Sequence, residues 1–229
     1  MAGDRLARAR LMRMTATRLL VGIPLLLAML FVPAGTLDYW QAWAYLAIIV
    51  VSMTFALRFL FRNSPELLER RMRMKETEPR QKWVVRIGAP CFVATYLLCG
   101  FDRRFAWSSV AAEQVLLADL VVVLSYIFIF QAFKENRYAS RIVEVVPGQK
   151  VIGSGPYAIV RHPMYLGVSL MCMFSPLALG SVLAMLPALL MVPLLVVRIL
   201  NEEDVLMREL EGYRDYMKKT RCRLVPGIW

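Results

Sequence analysis

Six apolar runs alternate along the chain with polar, mostly basic, segments. The first covers residues 19–32 and predicts a span that begins near Thr15. Further spans are predicted over about 41–61, 84–101 and 113–133. The last two runs, 164–179 and 182–200, are joined only by Gly180-Ser181, and so short a join predicts an antiparallel helical hairpin. Pro176, Pro187 and Pro193 predict kinks within it. The expected fold is all-α: a polytopic integral membrane protein of about six transmembrane helices. It divides into a four-span region, 1–133, and a C-terminal region, 134–229, of polar connector, hairpin and terminal helix.

The polar segments carry weaker signals. Residues 62–86 hold Arg70, Arg71, Arg73, Lys75, Arg80 and Lys82 against Glu66, Glu69, Glu76 and Glu78. Ser64-Pro65-Glu66 reads as a helix start. This is either a surface helix whose Leu67, Leu68, Met72 and Met74 dip into the interface while the arginines stay wet, or a solvated charged loop. Asp102-Arg103-Arg104 is expected on the loop before the fourth span, and Asp119 is expected to snorkel from that span's start. Pro147-Gly148-Gln149 predicts a turn between two extended pieces, folded over a membrane face. Leu206, Leu210, Tyr213 and Met217 recur at helical spacing and predict an amphipathic helix on the bilayer or on the protein.

Composition agrees: of 229 residues 59% are hydrophobic, and mean hydropathy is +0.53. The net charge of +11 does not indicate nucleic acid, because Lys and Arg cluster between the apolar runs, where they set orientation and meet anionic lipid headgroups. By that rule the N-terminus, with Arg5, Arg8, Arg10, Arg13 and Arg18, segments 62–86 and 134–161, and the C-terminus lie on the cytoplasmic side of a cell inner membrane. Asp102-Arg103-Arg104 is the one mild exception. No small-residue cleavage site follows Val32, so the first run is read as a retained span rather than a signal peptide. Cys91, Cys99, Cys172 and Cys222 lie far apart, indicating neither a metal site nor a disulfide framework.

Candidate chemistry begins at Gly155 and runs to Gly167, a stretch that contains His162, the single histidine. Pro163 favours an extended residue before it and a helix after it. The result is either a helix N-terminus that attracts an anion or plain loop punctuation before a span. Arg198 interrupts the last apolar run just before an acidic cluster. It is either an i,i+4 neighbour of Glu202 or a stop-transfer charge.

Gly-Pro-Tyr-x-x-x-Arg-His-Pro-x-Tyr-x-Gly at 155–167, Arg-x-x-x-Glu-Glu at 198–203 and Gly-Tyr-x-x-Tyr at 212–216 together resemble the isoprenylcysteine carboxyl methyltransferase family. Phospholipid methyltransferases look similar over the same region, and the first four spans match only in hydrophobic character. The resemblance implies an integral membrane methyltransferase using S-adenosylmethionine without a Rossmann domain, and no Gly-x-Gly-x-x-Gly motif is present. It implies cofactor-binding roles for Tyr157, Arg161, His162, Pro163, Tyr165, Gly167 and Glu202, the last near the cofactor's amino group. Arg198 and Glu203 would be catalytic: Arg198 holding an acceptor carboxylate with Glu203 fixing the guanidinium, or Glu203 acting as base for an amine. The partner implied is a lipophilic acceptor reaching the site from the bilayer, with carboxyl O-methylation the leading chemistry and amine N- or thiol S-methylation the alternatives.

Two other classes are weighed. Membrane sterol reductases that use NADPH also carry His-Pro-x-Tyr-x-Gly, but with an acidic residue after the glycine, where this chain has Val168. A transporter would show internal repeats and polar residues at mid-bilayer, and neither is evident.

Overall fold

The computed structural model describes residues 2–72, 76 and 78–229, without the side chains of 2–5 and 7. Arg73, Met74 and Lys75 of the basic segment, and the side chain of Arg5, therefore lie outside the described residues. The chain forms α1 (Ala2–Ala34), α2 (Trp40–Asn63), α3 (Pro65–Arg71), α4 (Pro79–Phe105), α5 (Ala112–Glu135), α6 (Pro163–Ala178), α7 (Met185–Leu189), α8 (Met191–Glu209) and α9 (Tyr213–Lys219), with a 3-10 turn at Gly155–Ala158. Among the described residues no strand occurs. The turn expected at Pro147-Gly148 forms, closed by Gln149 N–H on Val146 O at 3.0 Å, and the pieces on either side of it do not pair as strands. Their amides turn to side chains instead: Val143 N–H donates to Glu76 Oε1 at 3.2 Å and Val146 N–H to Gln149 Oε1 at 3.1 Å.

The protein is an all-helical, polytopic membrane protein. Five helical stretches are long and apolar enough to cross a bilayer: Arg8–Ala34, Trp40–Asn63, Pro79–Phe105, Ala112–Glu135 and Met185–Glu209. The fifth expected span, 164–179, corresponds to α6, which has 16 residues. At 1.5 Å per residue it covers roughly 24 Å, short of a hydrocarbon core of about 30 Å. Large side chains on the spans face outward, with Leu20 76% and Val51 68% exposed, as lipid contact requires.

Small and polar residues hold the helices together. A Cβ on Gly100 would stand 2.5 Å from Leu30 O, so α1 and α4 touch backbone to backbone there. Tyr39 donates to Leu179 O at 2.6 Å, and Tyr45 donates to Ser175 Oγ at 2.7 Å. Asp102-Arg103-Arg104 continue α4 rather than forming a loop, because Asp102 caps the turn beyond it. Its carboxylate accepts from Ser108 N–H at 2.6 Å, from Ser108 Oγ at 2.5 Å and from Ser181 Oγ. Asp119 is buried rather than snorkelling. It lies on the α5 face of Val115, Ala118, Val122 and Ser125, which packs inward, and its Oδ1 has no hydrogen-bond partner among the described residues.

Two surface expectations also change. Leu67 and Leu68 of α3 do not dip into lipid. They pack with Leu11, Leu60, Ile129 and Phe133, while Arg18 of α1 holds the end of α3 through Met72 O at 2.5 Å. The terminal amphipathic helix is broken in two. Gly212, at φ +79°, is left-handed, a conformation glycine adopts without strain, and it separates α8 from α9. Leu210, Tyr213 and Tyr216 then pack on Val145 and Val151 of the connector, on protein rather than bilayer.

Candidate functional site

The end of α5, the start of α6 and the end of α8 meet at one end of the bundle, and the connector 136–154 drapes over them. His162 is the residue before the first turn of α6, with Pro163 at its first position. The end of the chain pins this start in place: Arg161 N–H donates to Cys222 O and His162 N–H to Arg223 O, both at 2.9 Å.

Glu203 is the anchor beneath. Only 1% exposed, it accepts from Arg161 Nε at 2.6 Å and from Arg223 Nε at 2.8 Å, and lies 3.3 Å from His162 Nε2. Arg161 adds donations to Thr220 O at 2.9 Å and Arg221 O at 2.7 Å. A buried carboxylate demands such company, since an unpaired charge there is strongly destabilising. Glu203 makes no contact with Arg198. The expected pairing fails on helical phase: five residues on, at 3.6 residues per turn, is about 140° round the axis.

Arg198 is instead clamped by the neighbouring helix α4 and by the connector. It exchanges two hydrogen bonds with Gln81 of α4, Nη1 to Oε1 at 2.8 Å and Gln81 Nε2 to Arg198 O at 3.2 Å. Its Nη2 donates to Arg141 O at 2.5 Å, and Glu76 lies 3.7 Å away. Its Nε donates to the Tyr165 hydroxyl at 2.9 Å, which in turn donates to Glu202 Oε2 at 2.6 Å. Arg198 and Glu202 do share a face of α8, as their spacing indicated, but Tyr165 stands between them.

Above this floor lies a cleft enclosing about 800 Å³ of space, open in part to solvent. Tyr157, Arg161, His162, Tyr165 and Glu202 line it, joined by Asn136, Tyr138, Lys150, Tyr213 and Tyr216. Arg198, Glu203, Pro163 and Gly167 are not in its wall. Gly167 faces α5, where a Cβ would stand 2.6 Å from Ile129 Cγ1 and 2.9 Å from Ser125 O. Burial raises the phenol pKa of Tyr157 and of Tyr213, and pushes Tyr216 up to about 12, so each stays a neutral O–H at physiological pH. The Tyr216 hydroxyl donates to Tyr157 O at 2.7 Å. The Tyr213 hydroxyl has no partner among the described residues, although the side chain is 4% exposed. A buried, unsatisfied hydroxyl in a cleft wall marks a place where a ligand atom is wanted.

Sequence reasoning missed Gln81, Arg223 and the cleft role of Tyr138. None carries a periodic or motif signal. The one signal that could have pointed to Gln81 is its place as a polar residue near the start of an apolar run.

Residues 114–208 match the family model described as the isoprenylcysteine carboxyl methyltransferase (ICMT) family, whose members are S-adenosylmethionine-dependent membrane methyltransferases. The resemblance drawn from the motifs is thereby borne out over this region, which contains Gly155 to Gly167 and Arg198 to Glu203. It excludes α1 to α4, Tyr213 and the C-terminal segment that holds Arg161. No curated protein matches the chain.

Proposed function

We propose that this protein transfers a methyl group from S-adenosylmethionine to the carboxylate of a lipophilic acceptor drawn from the bilayer, of the isoprenylcysteine kind. The observation that carries the reading is the cleft itself, walled by the motif residues His162, Tyr165 and Glu202 and offering the unpartnered Tyr213 hydroxyl.

The cleft's donors and acceptors fit this cofactor. Glu202 gives one oxygen to Tyr165 and keeps the other for the ammonium group, while Lys150 suits the carboxylate. The Tyr157 ring in the cleft wall adds aromatic surface of the kind that attracts a cation, whereas Tyr138 already carries Arg70 and Arg137 and Tyr165 carries Arg198 over its ring. Tyr213 and His162 add hydrogen bonding for polar atoms. When bound, the cofactor supplies a methyl group on a positively charged sulfur.

A carboxylate acceptor needs alignment and a dry site more than a base. Arg198 therefore acts as a positioning residue: through Tyr165 it fixes the Glu202 carboxylate, and Gln81 fixes Arg198. Glu203, enclosed by three cationic or ring partners, holds Arg161 and His162 rather than moving a proton. The cleft opens to the cytoplasm, as the Lys and Arg distribution of the flanking segments favours.

Calorimetry in detergent should find S-adenosylmethionine bound and NADPH not bound. Mass spectrometry of membrane lipids on overexpression should then find an acceptor heavier by one methylene, from which alkali releases methanol. A mass gain stable to alkali would move the acceptor to an amine or thiol. Absence of S-adenosylmethionine binding would end the reading. Label reaching a cysteine placed at Gln149 from the periplasmic side of oriented vesicles would reverse the orientation.

A further inference from the structure

A second hollow, an open groove with about 1240 Å³ of space in and in front of it, lies between α2 and α5, two of the helices long and apolar enough to cross a bilayer. Phe55 and Leu60 of α2 form one wall, Ile127 and Phe130 of α5 the other, and Leu68 and Arg71 of α3 close one end. From Val51 to Leu60 the groove follows α2 for roughly 13 Å at 1.5 Å per residue. Among the described residues that line this apolar wall, Arg71 is the cation.

Arg71 is half-buried, and no described carboxylate pairs with it. Its Nη1 donates to Ala139 O at 3.2 Å and touches Met164 Sδ at 3.6 Å, and the guanidinium lies 4.2 Å over the Phe133 ring. Ala139 and Met164 also line the cofactor cleft. Arg71 thus forms the partition between the two cavities, with apolar surface on one side and the cleft on the other. Burial lowers its pKa to about 10, so it remains charged at neutral pH. A cation kept from water without a carboxylate is costly unless an anion joins it.

We infer that the α2/α5 groove binds a single hydrocarbon chain ending in a carboxylate, and that Arg71 receives that carboxylate at the entrance to the cleft. The inference rests on the methyltransferase reading for its purpose, naming the residue that recognises the acceptor's head. Arg198 cannot serve so directly, being held by Gln81, Tyr165 and Arg141 O behind the cleft wall. A guanidinium fork also distinguishes a carboxylate from an alcohol or an amine of equal chain length.

The test uses full-length protein in detergent with palmitate carrying a mid-chain diazirine, irradiated and mapped by peptide mass spectrometry. Labels should concentrate on the groove faces of α2 and α5. They should fall about tenfold in Arg71→Gln, and the matching hexadecanol probe should label about tenfold less than palmitate, the scale of one charge-assisted hydrogen bond. Ala56→Trp, which fills the groove without touching Arg71, should also abolish labelling. Equal labelling by acid and alcohol, or labels scattered over all lipid-facing helices in every variant, would overturn the inference. S-adenosylmethionine affinity, measured on the same preparations, separates the two readings: binding without groove labels sinks the groove alone, and groove labels without binding sink the methyltransferase reading alone.

Discussion

Gln81 and Arg198, 117 positions apart in the chain, exchange two hydrogen bonds between α4 and α8, at 2.8 and 3.2 Å. Gln81 is fully buried, so each of these atoms has exchanged water for the other. Through Tyr165 the pair reaches Glu202, and the four side chains form one chain of contacts from α4 to the cleft.

Gln81→Leu should therefore weaken S-adenosylmethionine binding without any contact to the cleft. Loss of a hydrogen bond to a charged group is worth about 1.5–3 kcal/mol, enough for a tenfold change in affinity. Glu202→Gln should weaken binding as well, and the double variant should fall short of the sum by about 0.5–3 kcal/mol, the range for residues in one network. Calorimetry on the four proteins measures this directly. Strict additivity would make Gln81 a packing residue only.

Glu203→Gln should lower the melting temperature more than any other single change at the site. It breaks the buried ion pair with Arg161 and the partly exposed one with Arg223, and leaving the buried Arg161 uncompensated costs about 3–5 kcal/mol. Activity should fall with the folded fraction, and its deficit should not shrink as pH rises. A deficit that closed at high pH would restore Glu203 as a base for an amine acceptor.

How far the sequence reached can be judged on α8. Its helical phase put Arg198 and Glu202 on one face, and that relation stands. The same phase turned Glu203 away, and its partners Arg161 and Arg223 come from segments with no periodic signal. The spans were legible because lipid demands long apolar helices. Asp119 and Leu68 were misplaced because residue type alone does not reveal which face of a helix meets protein and which meets lipid. Gly212 broke the terminal helix at a position where the spacing of Leu206, Leu210 and Tyr213 looked continuous.

Gly167→Ala should reduce stability and spare the cofactor. The added methyl would press on Ile129 and Ser125 O, separating α6 from α5. Overpacking of this kind costs about 1–3 kcal/mol. Thermal unfolding should shift down, while the folded protein keeps its affinity for S-adenosylmethionine within about twofold, below the loss of one neutral hydrogen bond. An affinity loss with unchanged stability would return Gly167 to the pocket, as the motif alone suggested.

Tyr213→Phe offers the opposite signature. The hydroxyl is buried at 4% exposure and makes no hydrogen bond with a described residue. Removing it should therefore leave stability unchanged or raise it, since an unsatisfied polar group is relieved. Burial holds its pKa above the usual phenol range, so across pH 6–9 the group is an O–H donor and never a phenolate. If that donor meets S-adenosylmethionine, the variant should bind it about tenfold more weakly, at a cost of roughly 1–1.5 kcal/mol, with the same deficit across that pH range. Paired melting curves and calorimetry read both quantities. A variant that loses stability but keeps affinity would mean that the hydroxyl is satisfied within the protein and that the cleft does not need it.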